Sequence, residues 1–129
     1  MALLSSAAVL ATDAARLPVD PTGIWRNPDG TLQVRIEANG PKLTGEIVWA
    51  APEAIVDARE SGVREPLIGT QLLQDYRRSG ANSWHGKVYV PDMQGTFFSN
   101  IVAKADTKLD ISGCILRGLI CKHQTWQRV

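Results

Sequence analysis

Short segments in which apolar and polar residues alternate run through most of this chain, and turn signals separate them at near-regular spacing. In residues 31–37, for example, Leu32, Val34 and Ile36 alternate with polar residues, which is the period-2 pattern of a half-buried strand. An Asp-Gly pair precedes this segment and an Asn-Gly pair follows it, and both dipeptides favour hairpin turns. The pattern predicts an all-β chain built from antiparallel hairpins.

About eight strands are predicted in this way, and the chain is long and apolar enough to pack them around one core. The predicted strands are residues 22–27, 31–37, 43–49, 67–77, 83–90, 95–104, 108–113 and 121–129. Open sheet edges expose unpaired backbone groups, and closure into a barrel removes them. The first strand carries Gly-x-Trp and the last Trp-x-Arg, which suggests that these two strands meet. We therefore predict a single antiparallel up-and-down β-barrel over residues 22–129.

Both cysteines, Cys114 and Cys121, lie near the C-terminus on either side of a segment that can turn at Gly118. We predict a disulfide that clamps a hairpin, and in the chain-entropy account so short a loop contributes about 2.5 kcal/mol. A disulfide implies an oxidising compartment. Two buried free thiols in a cytosolic barrel are the alternative. His85 and His123 are far apart in sequence and there is no second cysteine pair, so no metal site is predicted.

Residues 1–11 are small and apolar, like the hydrophobic part of a secretory signal, although no basic residue precedes it. They are too short to span a membrane, and no other segment is apolar enough. Residues 12–21 are polar and contain Pro18 and Pro21, so we expect a disordered lead-in before the barrel. The apolar start and the predicted disulfide together favour a secreted or periplasmic protein.

The charge distribution and the motifs exclude several classes of function. The 14 basic and 13 acidic residues are interspersed and give a formal net charge of +1, so nucleic acid is not an expected partner. The sequence has no Gly-x-Ser-x-Gly elbow, no His-Glu-x-x-His motif and no phosphate loop. We therefore predict no catalytic residue and no cofactor.

Residues 50–66 interrupt the series of hairpins, and a connection this long is often functional. Asp57, Glu60 and Arg64 are candidates for framing an opening to the barrel or for binding a cation. The spacing of an EF-hand is absent. A solvated loop without a role is the alternative.

Trp49, Trp84 and Tyr89 are the candidate ligand-binding aromatics. Small residues fall on the predicted strands that would surround them: Gly45, Gly86 and Ser99. Together they would line a pocket for a small, partly apolar ligand. The alternative is a filled core, in which the glycines mark the bulges and sharp coiling of a small barrel.

Several short motifs, taken in order and spacing, resemble a bacterial family known as domain of unknown function 2147. They are Gly23-Ile24-Trp25, Leu43–Ile47, Pro66–Gly69, Trp84-His85-Gly86, Tyr89-Val90-Pro91, Gly113-Cys114 to Cys121, and Thr125–Arg128. The resemblance implies an exported protein with a lipocalin-like antiparallel barrel, and it implies no particular activity. In such barrels a late arginine covers a first-strand tryptophan. Here Trp25 and Arg128 match that pair, so both are predicted to be structural, with Trp126 beside them.

The chain departs from the family pattern at two places. An acid, Glu60, stands where the family has an amide after Asp57, and the lysine and tyrosine that follow the Pro91 turn are absent. A polar site that the family builds at these positions is therefore not expected here.

These observations favour an exported, monomeric barrel that binds a small, partly apolar ligand at its open end. The alternative is an interaction module for an envelope protein, with a filled barrel, and a third interpretation is an enzyme of unknown reaction. Interior volume distinguishes the first two, since a pocket lined by Trp49 and Trp84 favours the ligand.

Overall fold

The computed structural model describes residues 18–115 and 120–129, which form a closed barrel of eight antiparallel strands in sequence order. The strands are β1 (Gly23–Arg26), β2 (Leu32–Asn39), β3 (Lys42–Ala50), β4 (Gln71–Gly80), β5 (Ser83–Val90), β6 (Gly95–Ala105), β7 (Lys108–Ile115) and β8 (Ile120–Arg128). One α-helix, α1 (Pro52–Glu60), lies between β3 and β4, and a 3₁₀ turn (Pro91–Met93) lies between β5 and β6. The predicted fold class is confirmed.

The connections divide the barrel into two ends. The β2–β3, β4–β5 and β6–β7 hairpins lie at the end where residues 18–22 enter, which we call the lead-in end. The β1–β2 turn, α1, the 3₁₀ turn, the end of β7 and the start of β8 lie at the opposite end, which we call the helix end. Within the part of the chain that the structure describes, no helix is long and apolar enough to span a membrane.

The long connection contains the helix α1, and the start of the fourth strand differs from the prediction. The helix begins at Pro52, because proline suits the first helical position, where its missing N–H costs nothing. The fourth strand begins at Gln71 and not at Leu67, because the backbone turns first: the Thr70 N–H donates to the Leu67 carbonyl, and Gly69 has φ +98°. That positive φ favours glycine and excludes extended strand geometry.

Arg128 joins the two ends of the chain at the lead-in end. Its guanidinium carbon lies 4.3 Å from the centroid of the Trp25 ring. Its three nitrogens donate to the carbonyls of Asp106 (2.7 Å), Thr22 (2.6 Å) and Asp20 (2.7 Å). The stacking predicted from the family resemblance is therefore present.

Gly23 makes room for this contact. Its φ of +127° suits glycine, and a Cβ at this position would lie 2.8 Å from Nη1 of Arg128. The Gly-x-Trp motif thus supplies both the ring and the space for the guanidinium that covers it.

The lead-in is ordered from Pro18 onward, in contrast to the predicted disorder of residues 12–21. The Val19 N–H donates to Oδ1 of Asn82 at 2.8 Å, and the buried Trp25 indole donates to the Pro21 carbonyl at 2.9 Å. Oδ1 of Asp20 accepts bonds from the N–H and hydroxyl of Thr22, which hold the Asp20 pKa below its usual range. The rest of the lead-in and the signal-like segment lie outside the described residues.

A disulfide links Cys114 on β7 to Cys121 on β8. The two residues face each other in the strand register. The bridge therefore clamps the hairpin at the helix end, as predicted from the spacing.

We expect Arg128→Ala and Trp25→Ala each to lower the free energy of unfolding, because each removes a cation–π contact of about 0.5–2 kcal/mol. Arg128→Ala also leaves carbonyls without a donor, at about 1–3 kcal/mol. A double-mutant cycle measured by urea unfolding should show losses that are less than additive. Arg128→Lys should restore little, since an ammonium lacks the planar fork. Strictly additive losses would contradict the contact.

We expect no free thiol when the protein, purified without reductant from its native host, is unfolded and titrated with a thiol reagent. Reduction before the titration should release two thiols, which serves as the control. Two reactive thiols before reduction would show that the bridge is absent in the host.

Candidate ligand-binding site

Along β5 to β8 the exposure of inward-facing side chains rises from the lead-in end of the barrel to the helix end, whereas Val34, Ile47 and Ala50 on β2 and β3 stay buried toward the helix end. The inward residues toward the lead-in end are buried: Trp25, Ile36, Leu43, Trp84, Ile101 and Leu109. Those toward the helix end are only half-buried: Val88, Val90, Phe97 and Gly113. Solvent therefore reaches the inner face of β5 to β8 at the helix end.

Strand β8 adds polar side chains to this accessible part of the interior. Lys122 and Gln124 share a face with the buried Trp126, and Lys122 lies opposite Gly113 in the register. Nε1 of Trp126 donates to Oε1 of Gln124 at 2.9 Å. Both Lys122 and Gln124 are exposed. A lysine and an amide thus stand on an otherwise apolar inner face.

The exposure of these two side chains follows from the short contact between the first and last strands. β1 pairs with β8 only through Trp25 with Arg128 and Arg26 with Gln127. The part of β8 toward the helix end has no β1 residue beside it, so the inner face of β8 reaches solvent there.

The middle of the barrel is filled where glycine lines the wall. A Cβ at Gly86 would lie 2.5 Å from Cγ of Tyr76, and a Cβ at Gly45 would lie 2.7 Å from Cδ1 of Leu73. The register of the strands shifts at both places. These glycines therefore accommodate packed side chains at irregularities of the sheet, which was the alternative interpretation.

Tyr76 enters the interior through a β-bulge. Gln74 pairs with Lys87 and Arg77 with His85, so Asp75 and Tyr76 together oppose Gly86. Asp75 takes up the irregularity with φ +55°. The sequence pattern gave no signal of this bulge, and Tyr76 was missed as an interior residue.

Two hydroxyls are buried beneath the accessible region. Neither the Tyr76 hydroxyl nor that of Ser99 forms a hydrogen bond of ordinary geometry with the described residues. Burial raises the pKa of the Tyr76 phenol well above its ordinary value, and the nearby Ser99 hydroxyl acts in the lowering direction. Buried hydroxyls without a hydrogen-bond partner cost free energy of folding, so these two are the polar groups of the buried interior that a ligand or water could satisfy.

Trp49 does not face the interior, where it was expected to line a ligand pocket. Ile47 pairs with Val34 and Trp49 pairs with Gln33, which leaves Val48 as an extra residue on β3. This bulge reverses the alternation, so Ala50 is buried whereas Trp49 is 41% exposed.

The other two candidate aromatics lie on opposite faces of β5. Trp84 is buried in the core, only 2% exposed, and Arg78 stacks on its ring at 4.9 Å. Tyr89 alternates with Trp84 and lies on the face of His85 and Lys87, half-buried. The structure therefore does not bring Trp49, Trp84 and Tyr89 together around one pocket.

The long connection forms a pocket of its own, with a volume of about 250 Å³. Arg64 lines it, as does Arg59, a residue that the sequence did not single out. Asp57 is exposed on α1 and is not among the lining residues. Within residues 18–115 and 120–129 no three acidic, histidine or cysteine side chains come together as metal ligands. The pocket in the connection therefore brings together two arginines and a single acid, Glu65.

We expect Gly86→Ala to destabilise the protein by about 1–3 kcal/mol, because the new methyl group would overlap the Tyr76 ring. The same substitution in a Tyr76→Leu background should cost less, since the smaller side chain leaves room for the methyl. Urea unfolding of the four proteins measures both costs. Equal costs in the two backgrounds would show that the ring does not cover Gly86.

Comparison with known proteins supports the architecture. The family model described as "Uncharacterized protein conserved in bacteria (DUF2147)" matches residues 23–128. The fold is similar to that of protein HP1028 from the human pathogen Helicobacter pylori, which belongs to the lipocalin family. The similarity has a TM-score of 0.64 at 17% sequence identity and covers 86% of this chain and 84% of that one. No curated protein matches the chain significantly. The lipocalin-like fold is thereby confirmed.

Proposed function

This chain belongs to the family of proteins conserved in bacteria that is described as DUF2147, and we propose that it binds a small, partly apolar molecule at the helix end of its barrel. The observation that supports this most directly is the exposure of the inner face of β5 to β8, which rises toward that end. Apolar pockets with a few polar groups are the usual form of small-molecule sites, and the mouths of barrels are a common location.

The chemistry of the accessible region indicates what such a ligand presents. Val88, Val90 and Phe97 offer an apolar wall, and Lys122 and Gln124 offer polar contacts at its edge. Tyr76 and Leu73 fill the barrel below, so a ligand occupies only the part nearest the helix end. A small molecule with an apolar body and one polar or acidic group fits these features.

The three aromatic residues predicted to bind ligand lie at different positions relative to the proposed site. Trp84 contributes to the packed core beneath the site. Trp49 and Tyr89 lie on the outer face, where only a ligand that extends past the rim reaches them.

We also propose that the protein is exported. Its disulfide supports this, because structural disulfides persist mainly in oxidising compartments. The thiol titration described above tests the proposal, since the protein must come from its native host with the bridge intact.

An interaction module is the second candidate function, favoured by large apolar side chains on the surface. Trp49, Met93 and Phe98 are 41%, 61% and 65% exposed. Together with the filled middle of the barrel, they support a protein partner that covers part of the outer surface, for example in the cell envelope.

Two neighbouring phenylalanines on β6 provide a matched test of ligand binding. Phe97 is half-buried on the inner face, whereas Phe98 is exposed on the outer face. We expect the neutral fluorescent probe N-phenyl-1-naphthylamine to bind, and Phe97→Ala to weaken its binding about tenfold through lost apolar contact. Phe98→Ala should leave the affinity unchanged.

Far-UV circular dichroism and urea unfolding identify any loss of fold in either variant. Equal weakening by the two substitutions would place the probe on the outer surface and favour the interaction module. An absence of probe binding to the unaltered protein would contradict an apolar site in the barrel.

A further inference from the structure

The pocket in the β3–β4 connection lies outside the barrel interior, between the last turns of α1 and the extended segment that follows. Its lining is Ile55, Ala58, Arg59, Val63, Arg64, Glu65, Pro66, Leu67 and Ile68. The lining is thus an apolar surface with two cations and one acid. At about 250 Å³ it is smaller than the pockets of roughly 300–1,000 Å³ that take drug-sized ligands.

Hydrogen bonds hold both walls of this pocket on the barrel. At the end of α1 the Val63 N–H donates to the Ala58 carbonyl at 2.9 Å. Nε2 of Gln94, from the 3₁₀ turn region, donates to the Ser61 carbonyl at 2.8 Å. On the other wall the Gly69 N–H donates to the Ile47 carbonyl of β3 at 2.7 Å. The pocket is therefore part of the folded structure.

The charge of the pocket is unbalanced. Among the described residues, the guanidiniums of Arg59 and Arg64 have no ion-pair or hydrogen-bond partner, and Glu65 is the single acid of the lining. Carbonyls at the end of a helix repel anions, but those of Asp57, Ala58 and Arg59 already accept backbone N–H groups. Two arginines without partners thus line a pocket beside a helix end whose carbonyls are occupied.

We propose that this pocket binds a soluble medium-chain carboxylate. The carboxylate lies between Arg59 and Arg64, because planar guanidiniums match its geometry and charge. The hydrocarbon chain lies on Ile55, Val63 and Ile68. This site is independent of the barrel interior. From the sequence, Asp57 and Glu60 were candidates for binding a cation in this connection. Neither lines the pocket, so the proposed ligand is an anion and not a cation.

Three compounds test the charge and the hydrocarbon chain separately: sodium octanoate, 1-octanol and inorganic phosphate. Each is titrated into the ¹⁵N-labelled full chain while the amide shifts of Ile55, Val63 and Ile68 are followed. We expect octanoate to bind at least about tenfold more tightly than the alcohol, which lacks the charge, or phosphate, which lacks the chain. Equal affinity for octanoate and either control compound would overturn the proposal.

Matched variants test which arginines bind the carboxylate of octanoate. Arg59→Gln and Arg64→Gln should each weaken octanoate binding about tenfold. Arg35→Gln, on the outer face of β2 and also exposed, should have no effect. A comparable loss in the Arg35 variant would indicate attraction to the net charge of the protein and would overturn the site.

A second pair of variants tests where the hydrocarbon chain of octanoate binds. Ile68, which lines the pocket, is 48% exposed, and Val56, which does not, is 49% exposed. Ile68→Ala should weaken octanoate binding severalfold, and Val56→Ala should leave it unchanged. Octanoate-induced shifts confined to Val88 and Phe97 would place the carboxylate in the barrel, which contradicts this proposal and leaves the barrel site standing.

Discussion

The position of Arg128 is the constraint on which the closed barrel depends. Its guanidinium binds three carbonyls, from the lead-in and from the β6–β7 turn, and it covers Trp25. Only two residue pairs join β1 to β8, so the backbone alone contributes few bonds to closure. One planar side chain therefore connects segments that are 106 to 108 residues apart in sequence. Its five donors and delocalised charge suit it to that role.

Bulges decide which side chains occupy the interior. In β3 an extra residue turns Trp49 outward, and in β4 an extra residue lets Tyr76 fold over Gly86. A period-2 pattern assigns faces correctly only while the register is unbroken. Each bulge changes the occupant of the inner face for a stretch of strand, and together they set how much of the barrel is filled.

The sequence predicted most of the fold because local chemistry determines it. Alternation and Asn-Gly or Asp-Gly turns specify hairpins within a few residues, and the spacing of Cys114 and Cys121 specified the bridge. The site was less predictable. Tyr76 became an interior residue through the positive φ of Asp75, which no local pattern announced. Arg59 and Arg64 line one pocket because the connection folds back on α1, and charge spacing in the sequence does not encode that tertiary arrangement.

The short junction between β1 and β8 also has a mechanical consequence. Cooperative backbone ladders resist separation, and the other seven junctions of the barrel have at least twice as many paired residues as this one. Local opening should therefore start at this junction once the contacts of Arg128 are released, because few backbone pairs remain there. The amide hydrogens of β1 should exchange with solvent sooner than those of β6. A barrel with one weak junction can part sideways there while its remaining strands stay paired.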